Sequence, residues 1–421
     1  MNILIVNAHS SRNKGDAGII LSMIDSLRKN IPNCNIKIKS RFPEIDTNAY
    51  DVSVAPCVAN VSIDPKESKF LKLLSAIKLL TLLRGNTINI PESEDYEWAD
   101  VVVSCGGGFL LSHGFSTALL QHLVQIKVAL DYKKPVIIYS QSIGPFYSRF
   151  MRKISKLILD KVTKIYIREE ISQQWLERIG CQNKEIALVP DSAFCLEMEP
   201  SSRVDFLFES IKQQHDGPYI GMTVRDWNFP EVDNKAYYRK KYINSIRAAI
   251  QFIEEKYYGK VLLMPQVLGP NPFNDDRIIS REILDGLPNT NAELIDYDLH
   301  PRELKYFYSK MDMFVGTRMH SNIFSLSSKV PTVAINYEHK TKGIMDLLDL
   351  SEFVLDINEI TEESIIKTIV KCWDNRYELQ THLTEKIPLV VEAAEIPAKF
   401  ISSLRSEEKA WVVANKCDHK C

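Results

Sequence analysis

Apolar residues follow two alternating patterns along this chain. Short runs dominated by Val, Ile and Leu occur at Ile3–Asn7, Val101–Ser104, Pro135–Tyr139, Lys164–Ile167 and Ile186–Val189. Between them apolar positions return every three or four residues, as with Ile20, Met23, Ile24, Leu27 and Ile31 in Asp16–Ile31. The same spacing recurs in Thr117–Asp131, Phe150–Val162 and Glu170–Ile179. The runs predict strands buried on both faces, and the spaced stretches predict amphipathic helices. Their alternation predicts a parallel sheet covered on both sides.

Glu197–Pro218 is polar, rich in Ser and Gln, and reads as a domain boundary. The rhythm then restarts, with strands expected at Tyr219–Val224, Val261–Met264, Met313–Gly316 and Thr332–Asn336. Helices are expected at Tyr242–Tyr257, Asp275–Leu284, Pro301–Lys310, Ser321–Ser328, Ile344–Leu348 and Ser364–Trp373, with a last helical stretch to about Leu404. Residues 43–97 form an irregular insertion in the first half, and 406–421 a tail. The expected fold is α/β: two doubly wound, Rossmann-like domains, 1–196 and 218–405, facing a cleft in the glycosyltransferase-B manner. Open parallel sheets bind ligands beyond the carboxyl ends of their strands, so chemistry is sought there.

A length of 421 residues suits two cores better than one. The formal net charge of −2 supplies no broad basic field, so no nucleic-acid partner is expected. Met1 leads directly into an apolar strand without a basic leader, and the eight cysteines contain no CxxC pair. These features predict a cytoplasmic protein with reduced thiols, no zinc or redox motif, and Cys417 and Cys421 in a frayed tail. The most apolar helical stretch, Phe70–Leu83, carries Lys72 and Lys78 and falls short of the ~18 residues of a membrane span. Covering the core, with lysine stems reaching outward, is its preferred reading. Lying on the inner face of a membrane is the other.

Four strand ends carry candidate chemistry. Asn13-Lys14-Gly15-Asp16 opens the first helix, where free amides attract anions and hydroxyls; Asp16 is equally suited to capping. Ser104-Cys105-Gly106-Gly107-Gly108-Phe109 follows a buried strand, and its glycine amides can cradle an anion or merely turn the chain. It is neither a Walker A loop nor a GxGxxG fingerprint. Gln141-Ser142-Ile143-Gly144-Pro145 follows the next strand and adds Gln141 to that wall. Arg168 ends a strand, where it can grip a carboxylate or phosphate or pair with Glu169 or Glu170. The densest cluster is Gly316-Thr317-Arg318-Met319-His320-Ser321, with Lys340 after the next strand. Adjacent strand ends would bring His320, suited to proton transfer near neutrality, and Lys340 to one face. Arg225 and Gln266, at two further strand ends, and Ser321 complete the binding candidates.

The motifs NxGD, SCGGGF, QSIGP, Arg168-to-Ser172, VPDSAF, GMTVR, GTRMHSNIFSL and NYEHKTKG, in this order, resemble the polysaccharide pyruvyl transferase family. The likeness runs from Met1 to about Leu350. It implies phosphoenolpyruvate as donor, no cofactor or metal, and a saccharide acceptor, free or lipid-linked, that leaves with pyruvate as a cyclic ketal. It also places the essential Arg, His and Lys of the family on Arg168, His320 and Lys340. One departure stands out: the family's Y-D-P-K is Tyr337-Glu338-His339-Lys340 here, which adds a second imidazole. His320 is expected to protonate the methylene carbon, and His320 or Asp16 to deprotonate the sugar hydroxyls. Arg168 and Lys340, helped by Arg318 or Arg225, would hold the donor's two anionic groups. A nucleotide-sugar glycosyltransferase of the same fold is the alternative, and a non-catalytic assembly subunit a third. The sequence carries no signal for oligomeric state.

Overall fold

In the computed structural model, which describes residues 1–61, 68–270 and 274–404, the apolar runs assemble into two separate parallel sheets. The tail 406–421, with Cys417 and Cys421, lies outside the described residues, as do 62–67 of the insertion. The first sheet's region runs β1 (Asn2–Ala8), α1 (Lys14–Asn30), β2 (Asn35–Ser40), α2 (Pro43–Asp46), β3 (Ser53–Pro56), α3 (Lys69–Arg84), α4 (Glu94–Trp98) and β4 (Val101–Ser104). It continues with β5 (Gly107–Ser112), α5 (Thr117–Asp131), β6 (Val136–Phe146), α6 (Arg149–Leu159), β7 (Lys164–Ile167), α7 (Glu170–Arg178) and β8 (Ile186–Leu188).

The strand order is β3-β2-β1-β4-β6-β7-β8, with β5 paired to β6. The chain winds outward from β1 to β3 and then returns to β4 on the other side of β1. The β1/β4 edge is therefore the topological switch point, where such sheets open a crevice. Ile3 to Val6 and Val101 to Val103 are fully buried, as continuous apolar strands must be when helices cover both faces.

The second region contains α8 (Ser202–Lys212), β9 (Tyr219–Thr223), α9 (Lys235–Tyr257), β10 (Lys260–Leu263), α10 (Asp276–Asp285), β11 (Glu293–Leu294) and α11 (Pro301–Tyr308). Then come β12 (Met313–Gly316), α12 (Met319–Ser327), β13 (Thr332–Asn336), α13 (His339–Leu347), β14 (Val354–Asp356), α14 (Glu362–Asp374) and α15 (Arg376–Ala394). The order β11-β10-β9-β12-β13-β14 repeats the same winding, with its switch point between β9 and β12.

The compact units do not follow the chain in one cut. One comprises Met1–Ser11, Ile19–Cys195 and the chain from Val391; the other comprises Arg12–Gly18 and Leu196–Val390. Arg12–Gly18 groups with the second unit because its backbone is bonded there. Lys14 N donates to Gln266 O at 3.0 Å, Leu268 N donates to Arg12 O at 2.9 Å, and Asn13 forms a bridge with Val267. The chain end returns to the first unit, where Phe400 packs edge-on against Tyr166 and Ser402 Oγ donates to Asn30 O.

Several local expectations change. The polar boundary holds α8, which buries only Val204 and Ile211 and so shows little apolar signal. QSIGP is part of β6 rather than a loop after it, and only Cys105-Gly106 separates β4 from β5, which opens on Gly107. Helix α3 covers the core through Leu79, with Leu80, Leu82 and Leu83 against it, but it also leaves a broad apolar face outside. Phe70 is 67%, Leu73 58% and Ile77 53% exposed, while Ala76 and Leu79 alone are fully buried among its described side chains.

Candidate functional site

At the switch point of the second unit, β12 stops at Gly316 and α12 begins at Met319, which leaves Thr317 and Arg318 in the turn. Thr223, at the end of β9, anchors that turn. Its Oγ1 accepts from Thr317 N at 3.2 Å and lies 2.7 Å from Ser321 Oγ. Ser321 Oγ also donates to Arg318 O at 2.6 Å, and the residue is fully buried. Arg318 is gripped by the buried Asp276, with Nε 3.1–3.2 Å from both carboxylate oxygens and Nη2 on one of them. Burial pulls the guanidinium's pKa down, but Asp276 and Tyr337 more than offset this, so it sits above its ordinary value.

The ring of the half-buried His320 lies against the backbone of Gly15. A Cβ at that position would overlap the imidazole, so glycine is what lets the ring sit there. Asn13 shapes the same turn: its Oδ1 accepts from Gly15 N at 3.1 Å, and its Nδ2 donates to Asp16 at 2.8 Å. Lys14 is ion-paired with Asp298. Arg225, just past β9, lies over the contacting rings of Trp227 and Tyr337, whose centres are 4.9 Å apart, with its guanidinium carbon 4.8 and 4.2 Å from those centres. Among the described residues no carboxylate pairs with it. Lys340, in the first turn of α13, lies 3.5 Å from Glu338. Gln266 is buried, with Oε1 accepting from Tyr308 Oη at 2.8 Å.

The first unit has its own cluster at the β1/β4 edge. His9 stacks on Phe109, ring centres 3.4 Å apart, and its Nε2 lies 3.3 Å from His122 Nε2. His122 Nδ1 meets Asn7 Oδ1 at 3.0 Å, and Asn7 Nδ2 donates to Ser104 Oγ at 3.0 Å. Burial, then Arg41, pushes His122 down to about 3; burial, His122 and Arg41 push His9 well below its ordinary value. Gly107, at φ +123°, sets the turn that places Phe109. Gln141, with its carboxamide turned to satisfy both ends, donates to Cys105 O at 2.6 Å and accepts from Phe109 N at 2.9 Å. Arg168 donates from Nε to Ser142 Oγ at 2.7 Å and from Nη1 to Asp191, which is 2% exposed; Glu169 stands 3.5 Å away.

The model of the polysaccharide pyruvyl transferase family matches residues 13–339. The chain belongs to that family. It is similar to the amylovoran biosynthesis protein AmsJ of Erwinia amylovora, 26% identical over 92% of this chain and 95% of the relative. Among solved structures it resembles the UDP-GlcNAc 2-epimerase of Neisseria meningitidis (TM-score 0.58, 15% identity, 96% of this chain and 100% of that one). A putative UDP-N-acetylglucosamine 2-epimerase of Listeria monocytogenes gives 0.60 at 14% identity, with 97% of both chains covered. Anabaena HepE in complex with UDP-glucose gives 0.58 at 12%, over 97% of this chain and 100% of that one. At these identities the likeness establishes the fold: two Rossmann-like domains of glycosyltransferase-B type.

In this pyruvyl transferase the second unit brings together Asn13, Gly15, Asp16, Arg225, Gln266, Arg318, His320, Ser321 and Lys340 of the residues singled out from sequence. Arg168, Gly106, Gly107, Gly108 and Gln141 belong to the first unit. Two of the set are occupied structurally. Gln141 holds the glycine turn, and Ser321 ties α12 to β9. Gly106 packs on the β6 backbone, where a Cβ would crowd Tyr139 O. The side chain of His339 is outside what the structure describes. Sequence reasoning missed Asp276 as the holder of Arg318; its neighbour Asp275 caps α10. It also missed the Trp227–Arg225–Tyr337 cluster, whose rings lie too far apart in sequence to signal contact. An aromatic two residues after an Arg at a strand end was the available clue.

Proposed function

We propose that the enzyme transfers the pyruvyl group of phosphoenolpyruvate to two hydroxyls of one sugar, on a polysaccharide or its lipid-linked precursor, releasing phosphate. The observation that carries this is the β9/β12 switch point, where an imidazole seated on glycine lies in one unit with Arg225, Arg318 and Lys340. Arg225 has aromatic faces and no carboxylate partner among the described residues, so its edge is available to the donor's carboxylate or phosphate. Lys340, 3.5 Å from Glu338, supplies a second charge, and Arg318 is fixed by Asp276 to shape the turn. Arg168, which the family resemblance makes essential, is oriented by Asp191 and Ser142 within the first unit.

His320 delivers a proton to the methylene carbon, leaving positive charge on the central carbon. One sugar hydroxyl adds there, phosphate departs with its bridging oxygen, and a second hydroxyl closes the ring. Of the two hydroxyl protons, one replaces that delivered to carbon and the other leaves on phosphate; Asp16 or His320 is the relay. The test is phosphate release from phosphoenolpyruvate over a panel of galactosides, glucosides and N-acetylmannosamine lipids. Acceptor-dependent phosphate with a ketal-bearing product supports the reading. Nucleotide release from a sugar nucleotide, with no phosphate from phosphoenolpyruvate, replaces it with the glycosyltransferase.

No helix among the described residues is long and apolar enough to cross a membrane. Helix α3 suits a different relation to lipid. It exposes Phe70, Leu71, Leu73, Leu74 and Ile77, contains no acidic residue, and carries Lys72, Lys78 and Arg84. That surface fits an anionic bilayer, where each basic residue contributes about 1 kcal/mol. Flotation with anionic vesicles, abolished by Lys72→Glu with Lys78→Glu, is expected; flotation unchanged by the substitutions rejects the contact.

A further inference from the structure

Arg41 follows β2 at the carboxyl edge of the first sheet, and its N–H donates to Ala8 O, which places it beside the end of β1. It is 5% exposed, and its Nη1 and Nη2 make no hydrogen bond with any described group. No carboxylate among the described residues acts on its charge, and the acidic residues of the neighbouring segments are bonded to other groups. Asp46 accepts from Ser11 N at 2.8 Å and from Ser40 Oγ, and Asp95 is shared by Lys37 and Lys39. The remaining neighbours are uncharged: the Cys57 thiol, which burial pushes up to about 12, and the imidazoles of His9 and His122. A buried guanidinium without a counter-charge is strongly disfavoured. Such a cost is retained where a ligand supplies the missing charge, and function then outweighs stability.

We propose that Arg41 centres an oxyanion-binding site at the carboxyl ends of β1, β2 and β4, taking the phosphoryl or carboxylate group of a sugar phosphate or sugar acid. The planar guanidinium matches either group with two parallel hydrogen bonds. His9 and His122 stand beside it with ring nitrogens, and Asn60, bonded from Nδ2 to Arg41 O at 3.0 Å, fixes the backbone. Phe109, stacked on His9, offers an apolar face of the kind that packs on a sugar ring. The switch-point location is where an open parallel sheet binds its ligand. This goes beyond the transfer reaction and uses no residue of the second unit.

The test uses the full chain without turnover. Thermal unfolding is followed for the wild type, Arg41→Met and Arg41→Lys at constant ionic strength, with pyrophosphate or glucuronate against chloride. Either probe should raise the wild-type midpoint. Arg41→Met should lose that rise while unfolding, without ligand, no earlier than the wild type, because a lone buried charge is gone. Arg41→Lys should keep part of the rise. A response to pyrophosphate alone assigns a phosphoryl ligand, and to glucuronate alone a carboxylate. No response to either, or an Arg41→Met protein less stable yet equally responsive, overturns the site. Should Arg41→Met not fold, wild-type crystals soaked in tungstate decide: an ion within hydrogen-bond reach of the Arg41 Nη atoms supports it, and tungstate bound only elsewhere overturns it.

Discussion

At the β9/β12 edge of the second unit, fixed charges frame a half-buried histidine: Asp276 holds Arg318, two aromatic rings hold Arg225, and Gly15 makes room for His320. At the β1/β4 edge of the first unit, the imidazoles face each other and an aromatic ring, while the cation beside them has no partner among described groups. Both edges are switch points of the same winding. The topology supplies a place for a ligand, and the side chains decide whether protons or charges are handled there. In the reaction proposed above, the second edge is where a proton moves. The first has its histidines driven to the neutral form and offers binding instead.

The contrast predicts its largest effect at His320. His320→Ala should lower kcat by ~10²–10⁴-fold, the usual contribution of a positioned acid or base. Gly15→Ala should approach that loss by displacing the ring, with thermal unfolding little changed. Turnover within a few-fold of wild type in both variants would break the distinction between the edges. Next comes Arg168→Ala, which strands the buried Asp191 and should cost about 3–5 kcal/mol in urea unfolding. If stability survives and turnover alone collapses, the first unit has a catalytic cation and the contrast blurs.

Arg225→Met should cut kcat/KM for phosphoenolpyruvate by roughly 10- to 100-fold, about the 1.5–3 kcal/mol of a charge-assisted hydrogen bond, mostly through KM. A purely kcat effect would move Arg225 from binding into the chemical step. The smallest effect concerns His122. Its folded pKa, about 3, lies below the ordinary ~6.5, so between these values the unfolded chain binds a proton that the native protein does not. Stability from this group is complete above ~6.5 and falls with decreasing pH by about 1.4 kcal/mol per unit. His122→Gln should remove about one proton's share of that slope, leaving the share of His9, and an unchanged slope would mean the imidazole is charged in the native state.

The strands Val101–Ser104, Lys164–Ile167, Met313–Gly316 and Thr332–Asn336 appear where the sequence reading put them, because short, mostly apolar runs fit few environments other than a doubly covered sheet. β2 escaped that reading, since Asn35–Ser40 alternates lysine with isoleucine and resembles neither a buried run nor a helix. The extension of β6 escaped it because Gly144-Pro145 reads as a stop. The motif residues of the site were legible one by one. Their partners were not: Asp276 for Arg318 comes from the start of α10, while Asp191 for Arg168 and Tyr337 for Arg225 come from beyond β8 and β13. Pairings of that kind are set by sheet order, which a single sequence does not display.

Residues 12–18 connect a strand of one unit to a helix that ends in the same unit, yet their bonds lie in the other. A domain in space is thus not a contiguous stretch of gene. A fragment encoding 196–390 would carry GTRMHS without the glycine beneath its histidine and without the strand partner of Val267. A chimera that exchanged second halves between relatives would graft one protein's imidazole onto another's loop. For this fold, the smallest exchangeable module is a discontinuous one, and recombination that keeps it intact must move seven residues near the amino terminus together with the distant half they pack with.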